Sequence, residues 1–264
     1  MMRLVRTVAR PIRRWILAGS CALTGHQHTL FVFLWSIAKK RKREAQFNTE
    51  GHHRFQLMSP ADWKAFATVV NAQMESAGAL NETRVDWAED KRVYVDCGSE
   101  PVAAHVQRLT ASRAFVDAMD RVFGGGRWEV VNTQLWRNYP ERFGRTNKEI
   151  NSTYYHVDNG GHMSDRLLVN VFMYLTEVRP ENGPFIYYTP GQTKRINRHF
   201  IGEVFRLGNL RSFPLVERIE NYIAPQQLSL GAGEAVVIDN QLCLHRAGFC
   251  AQGHRDMLQL LVRG

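Results

Sequence analysis

Two residues with one between them, His156-Val157-Asp158, open the stretch of the chain that is richest in chemistry. In a β-strand, residues i and i+2 point to the same side. That spacing would bring an imidazole and a carboxylate to one point. A pair of this kind is weak evidence alone, because a chain with ten histidines supplies such spacings by chance and a strand histidine bonded to a neighbour is commonplace. Two later features change its weight. Gly231 to Asp239 reads as a turn plus a buried strand, and Leu242-Cys243-Leu244-His245 then delivers a second histidine. Arg255 follows, at the head of the apolar run Met257-Leu258-Gln259-Leu260-Leu261. Gly248, Gln252 and Gly253 suit a hairpin, which would place His245 and Arg255 on adjacent strands.

Two histidines and one carboxylate on one face of a metal leave several positions open, the arrangement of the non-haem Fe(II) oxygenases. An arginine entering an apolar strand offers a planar fork for a carboxylate. Together His156, Asp158, His245 and Arg255 imply a dicarboxylate co-substrate with one end on the metal and the other on the guanidinium. The competing reading is a cupin-like metal protein, an isomerase or binding module, that uses the same ligands without such a co-substrate; that reading gives Arg255 no work. A membrane-tethered interaction protein with a degenerate site is a third, against which the intact ligand set argues.

The elements that must position these groups fall in two halves. Ser59-Pro60-Ala61-Asp62 has the cap, first-turn proline and early acid of a helix start, and Trp63, Phe66, Val69 and Val70 recur at helical spacing up to Gly78. A second helical stretch runs from Pro101 to the glycines at 124–126. From Trp128 onward β-branched and aromatic runs alternate with Gly and Pro turns. The expected fold is mainly β with flanking helices: a double-stranded β-helix (a jelly roll, cupin-like) packed against N-terminal helices. The turn at Pro180-Glu181-Asn182-Gly183-Pro184 separates two of its strands, Thr189-Pro190-Gly191 forms a further turn, and 200–225 has no clear pattern.

His156-x-Asp158, the segment from Leu175 to Pro184, the Thr189-Pro190-Gly191 turn, and His245 followed by Arg255 resemble the phytanoyl-CoA dioxygenase-like family of Fe(II)/2-oxoglutarate oxygenases. The likeness covers residues 55–264. It implies Fe(II) on His156, Asp158 and His245, 2-oxoglutarate as co-substrate with its far carboxylate on Arg255, and O2 at the remaining position. It also implies hydroxylation of a substrate with release of succinate and CO2. Asn170, Phe172 and Tyr174 share one strand face, with Asn170 and Tyr174 assigned to the 2-oxoglutarate pocket; ordinary barrel filling is the alternative. Gln134 and Trp136 are weaker candidates. Related halogenases have a small residue in place of the carboxylate, so Asp158 favours hydroxylation. Family members often carry Ser-His after the Pro-Gly where this chain has Gln192-Thr193, which bears on substrate and not on iron. His162 reads as a loop residue at the site mouth.

The net charge of +9 resembles a nucleic-acid signal until it is located. Residues 1–43 hold ten Lys and Arg and no acid, so the rest carries 24 basic against 25 acidic residues. The body therefore has no bulk electrostatic reason to bind nucleic acid. Between two basic clusters, residues 15–38 lack any charged side chain, yet His26, Gln27 and His28 interrupt them. An interfacial anchor or weak span making peripheral membrane contact through residues 1–45, a targeting segment, and a poorly ordered arm are all open readings. Residues 1–54 are thus expected to be an extension and 55–264 the oxygenase domain. Four cysteines without CxxC spacing fit reduced thiols and the cytoplasm, with membrane association through the arm as an option. The substrate class, a small molecule or a lipid-like one, is not written in the motifs, nor is the oligomeric state.

Overall fold

The structure is a computed structural model, and it describes residues 49–81, 92–138, 154–158, 168–200 and 213–264. Residues 1–48 of the N-terminal extension and His162 lie outside these residues, whereas the end of the expected extension forms part of β1. In chain order the elements are β1 (His52–Gln56), α1 (Pro60–Asn81), β2 (Arg92–Val95), α2 (Val102–Thr110), α3 (Arg113–Phe123), β3 (Glu129–Asn138), β4 (Leu168–Tyr174), β5 (Ile186–Tyr187), α4 (Pro190–His199), α5 (Phe213–Tyr222), β6 (Gln226–Gln227), β7 (Glu234–Ile238), β8 (His245–Arg246) and β9 (Arg255–Arg263).

Two antiparallel sheets face each other. The larger has the order β1-β7-β4-β9-β3-β2 and the smaller β6-β5-β8, to which an antiparallel bridge between His156 and His245 adds one more segment. This is the jelly-roll, double-stranded β-helix arrangement, with helices on the outside. Side-chain parity explains the layering. Along β4, Val169, Val171 and Met173 point outward into the cluster shared with Phe66, Val70 and Met74 of α1 and Phe115 and Met119 of α3. Phe172 and Tyr174 point inward, where they meet Val236, Ile238 and Met257 of the same sheet and Phe185 and Tyr187 of the facing segment. Behind the smaller sheet, Tyr155, Ile186, Tyr188 and Leu244 pack under Ile196 of α4 and Leu215, Val216 and Ile219 of α5. Each sheet is therefore buried on both faces, which the near-continuous apolar runs require.

Several sequence expectations shift. Ser59 caps α1 as expected, its hydroxyl accepting from the Asp62 backbone N–H, but the helix continues past Gly78 to Asn81. The second helical stretch is two helices, because Ser112 leaves helical geometry and its side chain accepts from the Phe115 N–H to start α3. Thr189-Pro190-Gly191 opens helix α4 and is not a simple turn: Thr189 and Gln192 cap each other, and proline sits in the first turn. The patternless region contains α5. β1 begins at His52, ahead of Phe55, and pairs with β7.

The hairpin expected between His245 and Arg255 does not exist. β8 belongs to the smaller sheet and β9 to the larger. The glycine-containing link is a crossover instead. It is fastened to the Pro180–Asn182 turn, where Gly248 N–H donates to Pro184 O and the Ala251 and Gln252 N–H groups donate to Glu181 O. His245 and Arg255 still approach one interior space, from opposite walls.

Among the described residues no helix is long and apolar enough to cross a membrane.

Candidate metal and co-substrate site

His156 and His245 are locked to each other by two backbone hydrogen bonds of 2.9 Å, and the Asp158 N–H donates to Asn240 O at 2.9 Å. These bonds bring three segments distant in sequence to one point. The metal-capable atoms of His156, Asp158 and His245 all lie within 4.8 Å of one another. Asp158 Oδ1 is 3.7 Å from His156 Nε2 and 3.5 Å from His245 Nε2. The side chains of His156 and Asp158 are 33% and 39% exposed against 4% for His245, so the cluster is open on one side.

Both ring orientations follow from the backbone. His156 Nδ1 lies 2.7 Å from Tyr154 O, and His245 Nδ1 lies 2.9 Å from Cys243 O. A carbonyl can only accept, so each Nδ1 donates to the backbone and each Nε2 is the ring nitrogen turned inward, the one a metal would take. Burial opposes a charge on Asp158, but the facing His245, then His156 and the Asn240 hydrogen bond outweigh it, holding the carboxyl below the usual range. Two imidazole nitrogens and one carboxylate oxygen converging on one space are a donor set suited to a divalent transition metal with open positions.

Asn170 lies beside this cluster. Its Nδ2 donates to Asp158 Oδ2 at 3.0 Å and its Oδ1 accepts from Gln259 Nε2 at 2.6 Å. Asn240 Nδ2 also donates to Asp158 Oδ2, at 3.0 Å. Arg255 is 2% exposed at the start of β9, on the inward parity. Its guanidinium donates to Asn138 Oδ1 at 3.1 Å, and Trp136 Nε1 donates to the same oxygen at 2.9 Å. Tyr174 is buried across from it, its hydroxyl accepting from the Phe185 N–H at 2.9 Å; burial pushes the phenol up, against the opposing charge of Arg255. Phe172 packs on Phe185, which stacks against His245. Gln134 is exposed on β3, opposite Gln259.

The structure thus brings His156, Asp158, His245 and Asn170 into contact and places Arg255 and Tyr174 on the wall of the same interior. Sequence reasoning missed Asn138, Asn240 and Gln259. Asn138 had a signal, since it continues the inward parity of Gln134 and Trp136. Thr193 was noted only as a departure from a pattern, yet its hydroxyl accepts from Leu244 N–H at 2.9 Å, next to His245. Glu220 was also missed. Its Oε1 receives Arg246 at 2.8 Å and the Tyr155 hydroxyl at 2.8 Å, so it ties together the neighbours of both histidines from behind.

No protein-family model matches the chain, and no curated protein does. Solved structures do. EctD from S. alaskensis matches over 83% of this chain and 75% of its own, with a TM-score of 0.57 and 15% identity. SnoN, the non-haem alpha-ketoglutarate-dependent epimerase from nogalamycin biosynthesis, matches over 83% and 80%, with a TM-score of 0.52 and 14% identity. HygX from Streptomyces hygroscopicus, solved with nickel and 2-oxoglutarate bound, matches over 85% and 87%, with a TM-score of 0.50 and 14% identity. The fold is that of the non-haem iron, 2-oxoglutarate-dependent enzymes. The double-stranded β-helix and its outer helices agree with the phytanoyl-CoA dioxygenase-like resemblance of the sequence.

Proposed function

We propose that the protein is an Fe(II)- and 2-oxoglutarate-dependent oxygenase that hydroxylates a small-molecule or lipid-like substrate, with release of succinate and CO2. One observation carries the reading: two inward-turned Nε2 atoms and one carboxylate oxygen converge in a barrel whose other interior wall holds a buried arginine. A purely structural site has no use for both. His156, Asp158 and His245 hold the iron. When bound, the iron supplies activation of O2 coupled to oxidative decarboxylation of the 2-oxo acid. Arg255, steadied by Asn138, takes the far carboxylate of 2-oxoglutarate as a fork. Tyr174 borders the co-substrate, and Asn170 does so while holding Asp158. Phe172, Phe185 and Val236 keep the interior apolar, which strengthens the Arg255–carboxylate attraction by excluding water.

Hydroxylation is the outcome that an intact Asp158 supports, although SnoN shows that this fold also hosts an epimerase. A small-molecule substrate is supported by the neighbours solved with 5-hydroxyectoine and with hygromycin B. The roughly neutral body of the chain fits no nucleic-acid partner. Catalysis is assigned to the domain following the basic arm.

The test is succinate formation from 2-oxoglutarate with Fe(II), ascorbate and O2, alongside anaerobic binding of 2-oxoglutarate to the Fe(II) protein. If no succinate forms and no 2-oxoglutarate binds, the assignment fails. Arg255→Leu should weaken 2-oxoglutarate binding by at least about 100-fold, the scale of a lost charge-assisted pair, with metal affinity kept.

A further inference from the structure

We propose that Asn170 and Asn240 are positioning residues that confine Asp158 to ligation through Oδ1 alone, keeping three positions of the metal open. This rests on the iron-site reading above and deepens it. A carboxylate can offer a metal one oxygen or both. Here the two oxygens have different surroundings. Oδ1 faces His156 Nε2 and His245 Nε2. Oδ2 receives two amide N–H donors, each at 3.0 Å, from Asn170 on β4 and from Asn240 just beyond β7.

The Asn170 amide is not free to turn. The Gln259 amide donates to Asn170 Oδ1 at 2.6 Å, so the Nδ2 of Asn170 has to face Asp158. Asn240 grips the ligand at two ends, because its backbone carbonyl accepts the Asp158 N–H while its side chain donates to Oδ2. Both asparagines are 2% exposed, so neither amide has solvent to turn to. Turning Asp158 to present both oxygens inward would break two hydrogen bonds to buried amides together.

The consequence is a coordination count. Three protein atoms on one face of an octahedral ion leave three positions. A 2-oxo acid that chelates would take two and leave one. A two-oxygen aspartate would leave one too few. The clamp therefore sets how many exogenous ligands the site accepts, a role that neither packing nor metal affinity requires of it.

The experiment compares wild type with Asn170→Ala, Asn240→Ala and the double variant, each checked for folding by circular dichroism. Two readouts besides turnover apply: Co(II) titration with its visible spectrum, and uptake of nitric oxide by the anaerobic Fe(II) protein with and without 2-oxoglutarate, read by EPR. For the double variant, Co(II) affinity should stay within about tenfold while the Co(II) bands change in intensity, as expected for a changed ligand count. Nitric oxide uptake should fall at least about tenfold, and only when 2-oxoglutarate is present, with each single variant part-way. Folded variants with wild-type Co(II) bands and wild-type nitric oxide uptake would overturn the clamp and leave the iron site standing. If the double variant does not fold, the single variants decide by the same two readouts. If wild type binds 2-oxoglutarate in neither state, the Co(II) bands decide alone. A wild-type protein that binds neither Co(II) nor Fe(II) would overturn both readings.

Discussion

The buried ion pair on the helix side of the larger sheet gives the sharpest quantitative expectation. Arg137 donates to both oxygens of Asp256, at 2.7 and 2.8 Å, with side chains only 4% and 1% exposed. The same guanidinium reaches Asn71 Oδ1 of α1 at 2.7 Å. Removing one partner from such a pair leaves a desolvated charge and typically costs about 3–5 kcal/mol, whereas replacing both by apolar groups of similar volume is near neutral. Arg137→Met and Asp256→Leu should each therefore lose about 3–5 kcal/mol from a total of about 5–15 kcal/mol. At a urea dependence of about 2–3 kcal/mol per molar, that moves the unfolding midpoint down by about 1–2 M. The double variant should recover most of the loss. The pair is also the register neighbour of the Asn138–Arg255 pair. Each single variant should therefore weaken 2-oxoglutarate binding as well. The measurements are urea unfolding of the four proteins and isothermal titration of 2-oxoglutarate. Single variants costing under about 1 kcal/mol, or a double variant costing the sum of the singles, would refute the argument.

Three further expectations follow from particular contacts. Glu220→Ala removes the acceptor shared by Arg246 and Tyr155, so it should cost about 2 kcal/mol in urea unfolding and reduce Co(II) affinity, while Glu220→Gln keeps part of both. Gly183 has φ of 70°, and a Cβ there would run into the Phe249 carbonyl; Gly183→Ala should lower the melting temperature by several degrees, equivalent to about 2 kcal/mol or more. Burial lowers the pKa of His52, His105 and His254 below the ordinary 6.5, so the folded chain takes up fewer protons than the unfolded one. Their contribution is complete above about pH 6.5 and is lost as pH falls through that value, so calorimetry from pH 7.5 to about 5.5 should show a falling melting temperature; a flat profile would contradict this.

The residues most legible in the sequence were those whose chemistry is rare in an apolar strand. His156, Asp158, His245 and Arg255 stood out by type and parity, and the structure converges the first three. Less legible were residues whose type is ordinary and whose work depends on long-range neighbours. Nothing local marks Asn240 as the partner of an aspartate 82 residues away, or Glu220 as the anchor of Tyr155 and Arg246. The false hairpin has a physical origin too. Gly248, Gln252 and Gly253 permit a tight reversal and a crossover equally well, and the choice is made by the Glu181 and Pro184 carbonyls, which receive the link. Helix α4 was readable in hindsight from Thr189 and Gln192, a reciprocal cap disguised by the Pro-Gly between them.

The larger sheet carries a more general signal. A strand buried on both faces should read as an apolar run. On the helix-facing parity the central strands obey: Val169, Val171 and Met173 in β4, Leu258, Leu260 and Val262 in β9, and Ala235 and Val237 in β7. The exception is Asp256, which Arg137 neutralises. On the inward parity the same strands are broken by Asn170, Arg255 and Gln259, all away from the helices. A buried polar group costs free energy unless it finds a partner. The packing on the outer face gives these three none, so their partners have to lie in the barrel. Asn170 and Gln259 find each other and Asp158 there. Polar interruptions concentrated on the inward parity of these doubly buried strands therefore draw their partners from inside the barrel, as the lone outward one, Asp256, finds its partner in Arg137.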